Sequence, residues 1–348
     1  MPLQNKAKAR LEPLFNAMHN FDANTVKIAL AQVLNEDATV HMCHPMGDMH
    51  GADVYRKCYQ PLLRAIPDLE RRDWIVLAGE TDAGQQWVGC AGHYVGTFVA
   101  PWLEIPPTGH FAHIRFHEFY RLENNKIVEI QAIWDIPELM MQANAWPMAP
   151  SLGREGLVPG PASQDGLTIH NQNPEQPAQS AGLVVDMLNH LSLHPQKGGP
   201  EVMQLSRFWH PRMNWYGPAG IGTRRGIAGF RNWHQMPFLS AMPDRGQQTD
   251  GIEMHLFAQG QYVAVTGWPN MKQSLQHDGW MGIAASGQNI NLRSLDFWRI
   301  DGDVIRENWV LVDLLDLYHQ IGVDVFTRLR EFNKARNMGN LNYPVGAI

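Results

Sequence analysis

The sequence predicts an α+β protein in which one module is written twice, and three observations carry that expectation. The stretch Arg293–Asp313 echoes Arg115–Asp135 without a gap. Arg115 falls on Arg293, Phe119 on Phe297, Arg121 on Arg299, Ile127 on Ile305, Glu129 on Glu307 and Asp135 on Asp313. Extending the overlay to 105–143 against 283–321 gives about ten identities in roughly forty positions, where composition alone would give about two or three. Within each half, helical periodicity comes first and a run of strands follows, which is the α+β order and not alternating βαβ. Between the halves, residues 146–178 collect Pro147, Pro150, Pro159, Pro161, Pro174 and Pro177 among Gly, Ser, Gln and Asn, a composition that favours irregular chain. The expected units are therefore 1–145 and 179–348, joined by the linker 146–178.

The first unit opens with a helix near Asn5–His19, whose Leu11, Leu14, Phe15 and Met18 fall near one face, and a second capped by Asn24. A third helix is expected over Ala52–Ala65, ending before Pro67. Strands are expected at ERRDWIVLAGE, QQWVGCAGHYVGTFV, HFAHIRFHEFYRL and KIVEIQAIWD, followed by a helical PELMMQANA. The second unit repeats the order. Helices are expected near Gly182–Leu193 and Pro200–Trp209, and strands near GIEMHLFA, QYVAVTGWP, QNINLRSLDFWRI and DVIRENWVLVD. Gly226 answers Gly51 and Pro243-Asp244 answers Pro67-Asp68, with offsets slightly smaller than those downstream, as short loop insertions would produce. A long last helix is expected to pack across the first unit or cap the assembly.

Composition narrows the partners. Hydrophobic residues make up 44% of the 348, with 12 Trp and 17 Met, enough for a core in each half. The net charge of −6 and the lack of a basic run argue against nucleic acid. Cys43, Cys58 and Cys90 form no CxxC pair, and an odd count does not suit a disulfide framework, so a cytoplasmic setting is expected. No apolar run approaches the roughly 20 residues of a membrane span, so no membrane partner is expected.

Ile66-Pro67-Asp68-Leu69, LEIPPTG at 103–109, FYRLENNKIVE and Asp135 in the first unit resemble the SnoaL-like polyketide cyclase (ester cyclase) family. So do Met242-Pro243-Asp244, GIAASG at 282–287, DFWRIDGDVIRENW, Asp313 and Gln320-Ile321-Gly322 in the second. The resemblance covers most of both units. It implies two tandem cone-shaped barrels of the ketosteroid isomerase and nuclear transport factor type, each a curved mixed sheet closed by N-terminal helices. Members usually pair through their sheets, so the tandem copy implies an intrachain pseudo-dimer, open to further self-association. The chain departs from the family in its last strands, with Glu307-Asn308-Trp309 and Glu129-Ile130-Gln131 where Glu-His-Trp is usual.

Strand alternation then selects residues for chemistry. Ile305, Glu307, Trp309, Leu311 and Asp313 share a face, as do Ile127, Glu129, Gln131, Ile133 and Asp135. A carboxylate closing a mostly apolar face has its pKa raised by desolvation and can move protons to and from carbon. The resemblance matches Asp313 and Asp135 to the family's acid/base; the alternative is a strand-end Asp capping the next helix. Arg121 with Glu129, and Arg299 with Glu307, read as cross-strand ion pairs or as electrophilic help for an enolate. His113, Arg115 and His117 form either a polar pocket wall or an exposed or inter-unit face, and Asn291 and Arg293 match the first two of these. His93 is expected to touch ligand. Trp268 and Trp309 are expected in an aromatic-lined pocket, other Trp residues in the core. His41, His44, His50 and His93 match no zinc spacing, so no metal is expected.

The expected function is that of a cofactor-independent enzyme on a hydrophobic or aromatic carbonyl compound, by aldol cyclisation or related isomerisation or dehydration. The alternatives are a non-catalytic carrier of a small hydrophobic ligand and an epoxide-opening enzyme. The last would need a second carboxylate and an Arg beside the acid.

Overall fold

The computed structural model describes the backbone of residues 3–340 and the side chains of 4–334. Two six-stranded sheets carry the molecule, and each follows the same path. The first contains β1 (Leu34–Met42), β2 (Gly47–His50), β3 (Glu70–Glu80), β4 (Gln86–Thr97), β5 (Phe111–Glu123) and β6 (Lys126–Trp134), in spatial order β2-β1-β6-β5-β4-β3. The second contains β7 (Trp209–Tyr216), β8 (Arg224–Arg225), β9 (His255–Gln259) and β10 (Tyr262–Thr266). It is completed, after a separate ribbon of β11 (Met271–Ser274) and β12 (Asn289–Leu292), by β13 (Ser294–Asp301) and β14 (Val304–Val312). Its order is β8-β7-β14-β13-β10-β9. In each sheet only the pairing of the first strand with the last is parallel, β1 with β6 and β7 with β14. This is the tandem cone-like α+β fold.

Helices Leu3–His19 and Ala23–Val33 close the first cone, the latter capped by Asp22, which accepts the Thr25 N–H at 2.8 Å, and not by Asn24. In the second unit, helix Gln176–Leu191 takes the corresponding place. The helix expected over 200–209 is instead a 3₁₀ turn at Pro200–Met203 and one α-turn at Leu205–Phe208. Gln204 between them adopts a left-handed φ of 47° that no helix continues through. The strand expected over 288–300 is also broken, because the Asn270 side chain takes both backbone groups of Ser294. The helix closing each cone from the side widens into a π-turn, Tyr55–Tyr59 in one unit and Arg231–Gln235 in the other.

The two sheets pack against each other by their outer faces. Phe119 and Phe297 stack with centroids 5.1 Å apart, and Gly89 makes room for them. Ala78 N–H donates to Gln259, and Thr266 to Gln131. Each sheet is thus covered on both sides, by its own cone contents and by the other unit. The chain between Gln142 and Gln176 holds no helix or strand beyond a bridge of Arg154 to Thr223, and it lies across this seam. Trp309 donates to Pro159 O, and Ala162 N–H to Glu307. The last helix, Val325–Asn340, reaches the first unit, where Arg330 meets Glu104. No helix among the described residues is long and apolar enough to cross a membrane.

Candidate active site

The parity of the last strand decides where chemistry is available. Glu307, Trp309 and Leu311 point outward to the seam between the sheets, whereas Asn308, Val310 and Val312 line the second cone. Asp313 follows the outward face. Its carboxylate accepts the His44 N–H of the first unit at 3.0 Å, approaches Arg293 at 3.3 Å and caps the next helix through the Asp316 N–H. Asp135 does the reciprocal thing, accepting the Ala219 N–H of the second unit at 2.8 Å and pairing with Arg115. Burial raises both carboxyls, Asp313 to about 7. The space between them is only about 10 Å³, room for one water molecule and no ligand. Where an open pocket beside these carboxylates was expected, they instead join the two units.

The remaining sequence candidates also lie outside either cone. Arg121 and Arg299 are held by Glu129 and Glu307 across neighbouring strands, as the ion-pair reading expects. His117 contacts Leu295 O across the seam at 2.6 Å. His93 is buried under Trp74, whose indole N–H it accepts at 3.2 Å. His113 lies 3.3 Å from Glu138. Trp309 sits between Tyr216 and Trp74 instead of in a pocket. Trp268 lies under Arg293 in a surface cleft that Asn291 also lines. One metal-like grouping does emerge, because ligand atoms of His93, His113 and Glu138 lie within 4.8 Å of one another. The Trp74 bond opposes it: a donor on Nδ1 leaves the proton of neutral His93 on Nε2, the atom otherwise free for a metal.

The first cone is filled. Glu118, from the inward face of β5, accepts Arg71, Tyr94, Tyr120 and Trp134, so both of its oxygens are taken. Arg71 also binds Asp73 and lies against the rings of Phe15 and Phe116. This is a carboxylate–arginine–carboxylate set of the kind epoxide opening would need, but with Arg71 and Glu118 almost wholly buried.

The second cone differs at the same repeat positions. Phe116, Glu118 and Trp134 become Ser294, Asp296 and Val312, Tyr59 becomes His234, and Tyr120 becomes Trp298. Four of these five changes remove volume, and a cavity of about 100 Å³ opens in their place. Trp209, Trp215, Phe230, Phe238, Trp280 and Trp298 supply its aromatic walls, and His234, Gln235, Arg245, Ser294, Asp296 and Asn308 its polar groups. Ser294 donates to Asp296 Oδ2 at 2.9 Å, which fixes the carboxyl, while Oδ1 has no hydrogen-bond partner among the described residues. Burial pushes Asp296 up to about 7, against the pull of Ser294 and Arg245. His234 stacks on Trp215 with centroids 3.9 Å apart; burial, reinforced by Arg224 and Arg245, lowers it to about 3 and keeps it neutral. The indole N–H groups of Trp209 and Trp298 and the Gln235 Oε1 are likewise buried without hydrogen-bond partners among the described residues. Such groups are costly to leave unmet and mark a surface shaped for something else. The signal that could have located the site was in the repeat. Glu118 and Asp296 occupy one register position, on the strand face of Phe116 and Tyr120, or Ser294 and Trp298.

The SnoaL-like polyketide cyclase family model matches residues 17–143 and 200–321. The chain belongs to that family. No curated protein matches it. Among solved structures, AclR from Streptomyces galilaeus is 18% identical over 40% of this chain and 86% of its own, with a TM-score of 0.35. IdmH from Streptomyces antibioticus is 19% identical over 40% and 99%, with a TM-score of 0.33. TsrD from Streptomyces laurentii is 23% identical over 41% and 96%, also at 0.33.

Proposed function

We propose that this tandem SnoaL-like protein is an acid/base enzyme acting on a hydrophobic carbonyl compound in its second cone, with Asp296 as the proton-transfer group. The observation that carries the reading is the Asp296 carboxyl, fixed by Ser294, unpartnered at Oδ1 and set in an aromatic cavity. A carboxyl raised to about 7 is divided between its two forms near neutral pH, the condition under which one group both takes and returns a proton.

In the forward direction, ionised Asp296 removes a proton from the carbon beside a carbonyl. The electron pair of that C–H bond forms the enolate C=C bond and the carbonyl π pair moves to oxygen, where the Trp209 or Trp298 N–H can meet it. In an aldol closure the enolate carbon attacks a second carbonyl of the same molecule. Protonated Asp296 then gives its proton to the new alkoxide, restoring the carboxylate. If the proton returns to a different carbon, the result is isomerisation. The first cone serves as the structural partner, because every Glu118 oxygen is already engaged.

Hydrogen–deuterium exchange at the α-carbon tests this without the natural substrate. Aryl ketones in D₂O should exchange faster with the protein than without it, and Asp296→Asn should remove the acceleration while Trp fluorescence still reports binding. Binding by both proteins with no exchange by either would make the cone a carrier site and overturn the enzyme reading.

A further inference from the structure

Resting on the placement of chemistry in the second cone, we infer that its ligand is a compact acid, about one ring in its inner part, whose carboxylate pairs with Arg245. The two halves of this inference come from size and from charge.

A cavity of about 100 Å³ is smaller than the roughly 150 Å³ engineered cavity that takes one benzene. Flat walls from Trp209, Trp215, Trp280 and Trp298 suit a single planar ring better than a stack of fused ones. A larger substrate would have to leave its remaining rings outside.

Arg245 follows helix Met236–Ala241 and the Met242-Pro243-Asp244 turn, which bring its side chain to the cavity. Among the described residues its guanidinium makes no hydrogen bond and no salt bridge, although Asp296 lies near enough to act on it electrostatically. Its neighbour Asp244 is engaged by Ser274 and Gln248. Asp296 has one oxygen on Ser294, makes no hydrogen bond to Arg245 and, raised to about 7, is only about half ionised near neutral pH. His234 is neutral. The cavity therefore holds a cation with no bonded anion. A guanidinium does not escape by losing its proton, and a planar carboxylate fits it with two parallel hydrogen bonds. The first cone illustrates the alternative, since Arg71 there has Glu118 and Asp73. What Glu118 and Asp73 do for Arg71, a ligand would do for Arg245.

The test compares 3-phenylpropanoate with its methyl ester and its amide, by calorimetry and Trp fluorescence, on wild type, Arg245→Met, Arg245→Lys and Asp296→Asn. The acid should bind wild type about 10- to 100-fold more tightly than either neutral analogue, the range for a charge-assisted pair. Arg245→Met should abolish that preference while changing ester affinity little, and Arg245→Lys should keep part of it. Equal binding of acid and ester to wild type, or a preference that survives Arg245→Met, overturns the inference. Carbon-acid exchange that depends on Asp296 without acid preference would leave the enzyme reading standing and remove this one. Acid preference with exchange indifferent to Asp296→Asn would do the reverse.

Discussion

The carboxylate of Asp313, at the end of the second sheet, accepts the backbone N–H of His44 in the first unit at 3.0 Å. Asp135 answers it on Ala219, so the two carboxylates clasp the units reciprocally across the pseudo-twofold seam. Each replaces a contact that water would otherwise make to a buried backbone donor. Asp313→Ala should therefore lower stability by about 1–3 kcal/mol, the cost of an unmet buried donor. A urea midpoint that falls with its slope unchanged, and carbon-acid exchange unaffected at permissive temperature, is the expected outcome. Loss of exchange with stability intact would return Asp313 to the chemistry.

In the first cone, Glu118→Ala should be more damaging, at about 3–5 kcal/mol, because it leaves the buried Arg71 with Asp73 alone and takes the acceptor from Tyr94, Tyr120 and Trp134 as well. Thermal unfolding measures this directly. A loss below about 1 kcal/mol would mean that water reaches Arg71 and that the first cone is more open than its packing implies.

Much of the fold was legible in the sequence. The expected strands overlap β3 to β6, β9, β10 and β12 to β14, and the β3 segment matches ERRDWIVLAGE residue for residue, whereas β7 and β8 were not foreseen. The face of the last strand was not legible, for a physical reason. Alternation separates two faces but does not say which is the cavity when both are buried, and here one lines the cone while the other meets the second sheet. Glu307, Trp309 and Asp313 form the more polar-punctuated face, yet that face is the seam. Nor could periodicity reveal Arg71, whose guanidinium reaches Glu118 on a strand 47 residues away and helps to fill the first cone. The openness of the second cone follows from three-dimensional volume, Ser294 and Val312 in place of Phe116 and Trp134, and only the register of the two sheets sets those residues side by side.

Stability should also depend on pH through Asp296. Its folded pKa of about 7 lies above the ordinary 3.8, so folding favours the protonated form. That contribution is fully present below about 3.8 and is lost as pH rises through about 7. Asp296→Asn removes the dependence. The variant should match wild type near pH 4 and exceed it at pH 8, by roughly 4 kcal/mol. Melting temperatures of the two proteins across this window provide the check; parallel curves would mean that Asp296 is solvated.

The most direct measurement sets Asp296→Asn beside Asp313→Asn and follows α-carbon exchange on an aryl ketone in D₂O, with binding monitored in parallel. Exchange that falls about 10²- to 10⁴-fold in Asp296→Asn and persists in Asp313→Asn is the result this account predicts. Exchange that persists in Asp296→Asn and disappears in a folded, ligand-binding Asp313→Asn would contradict it and move the chemistry to the seam between the units.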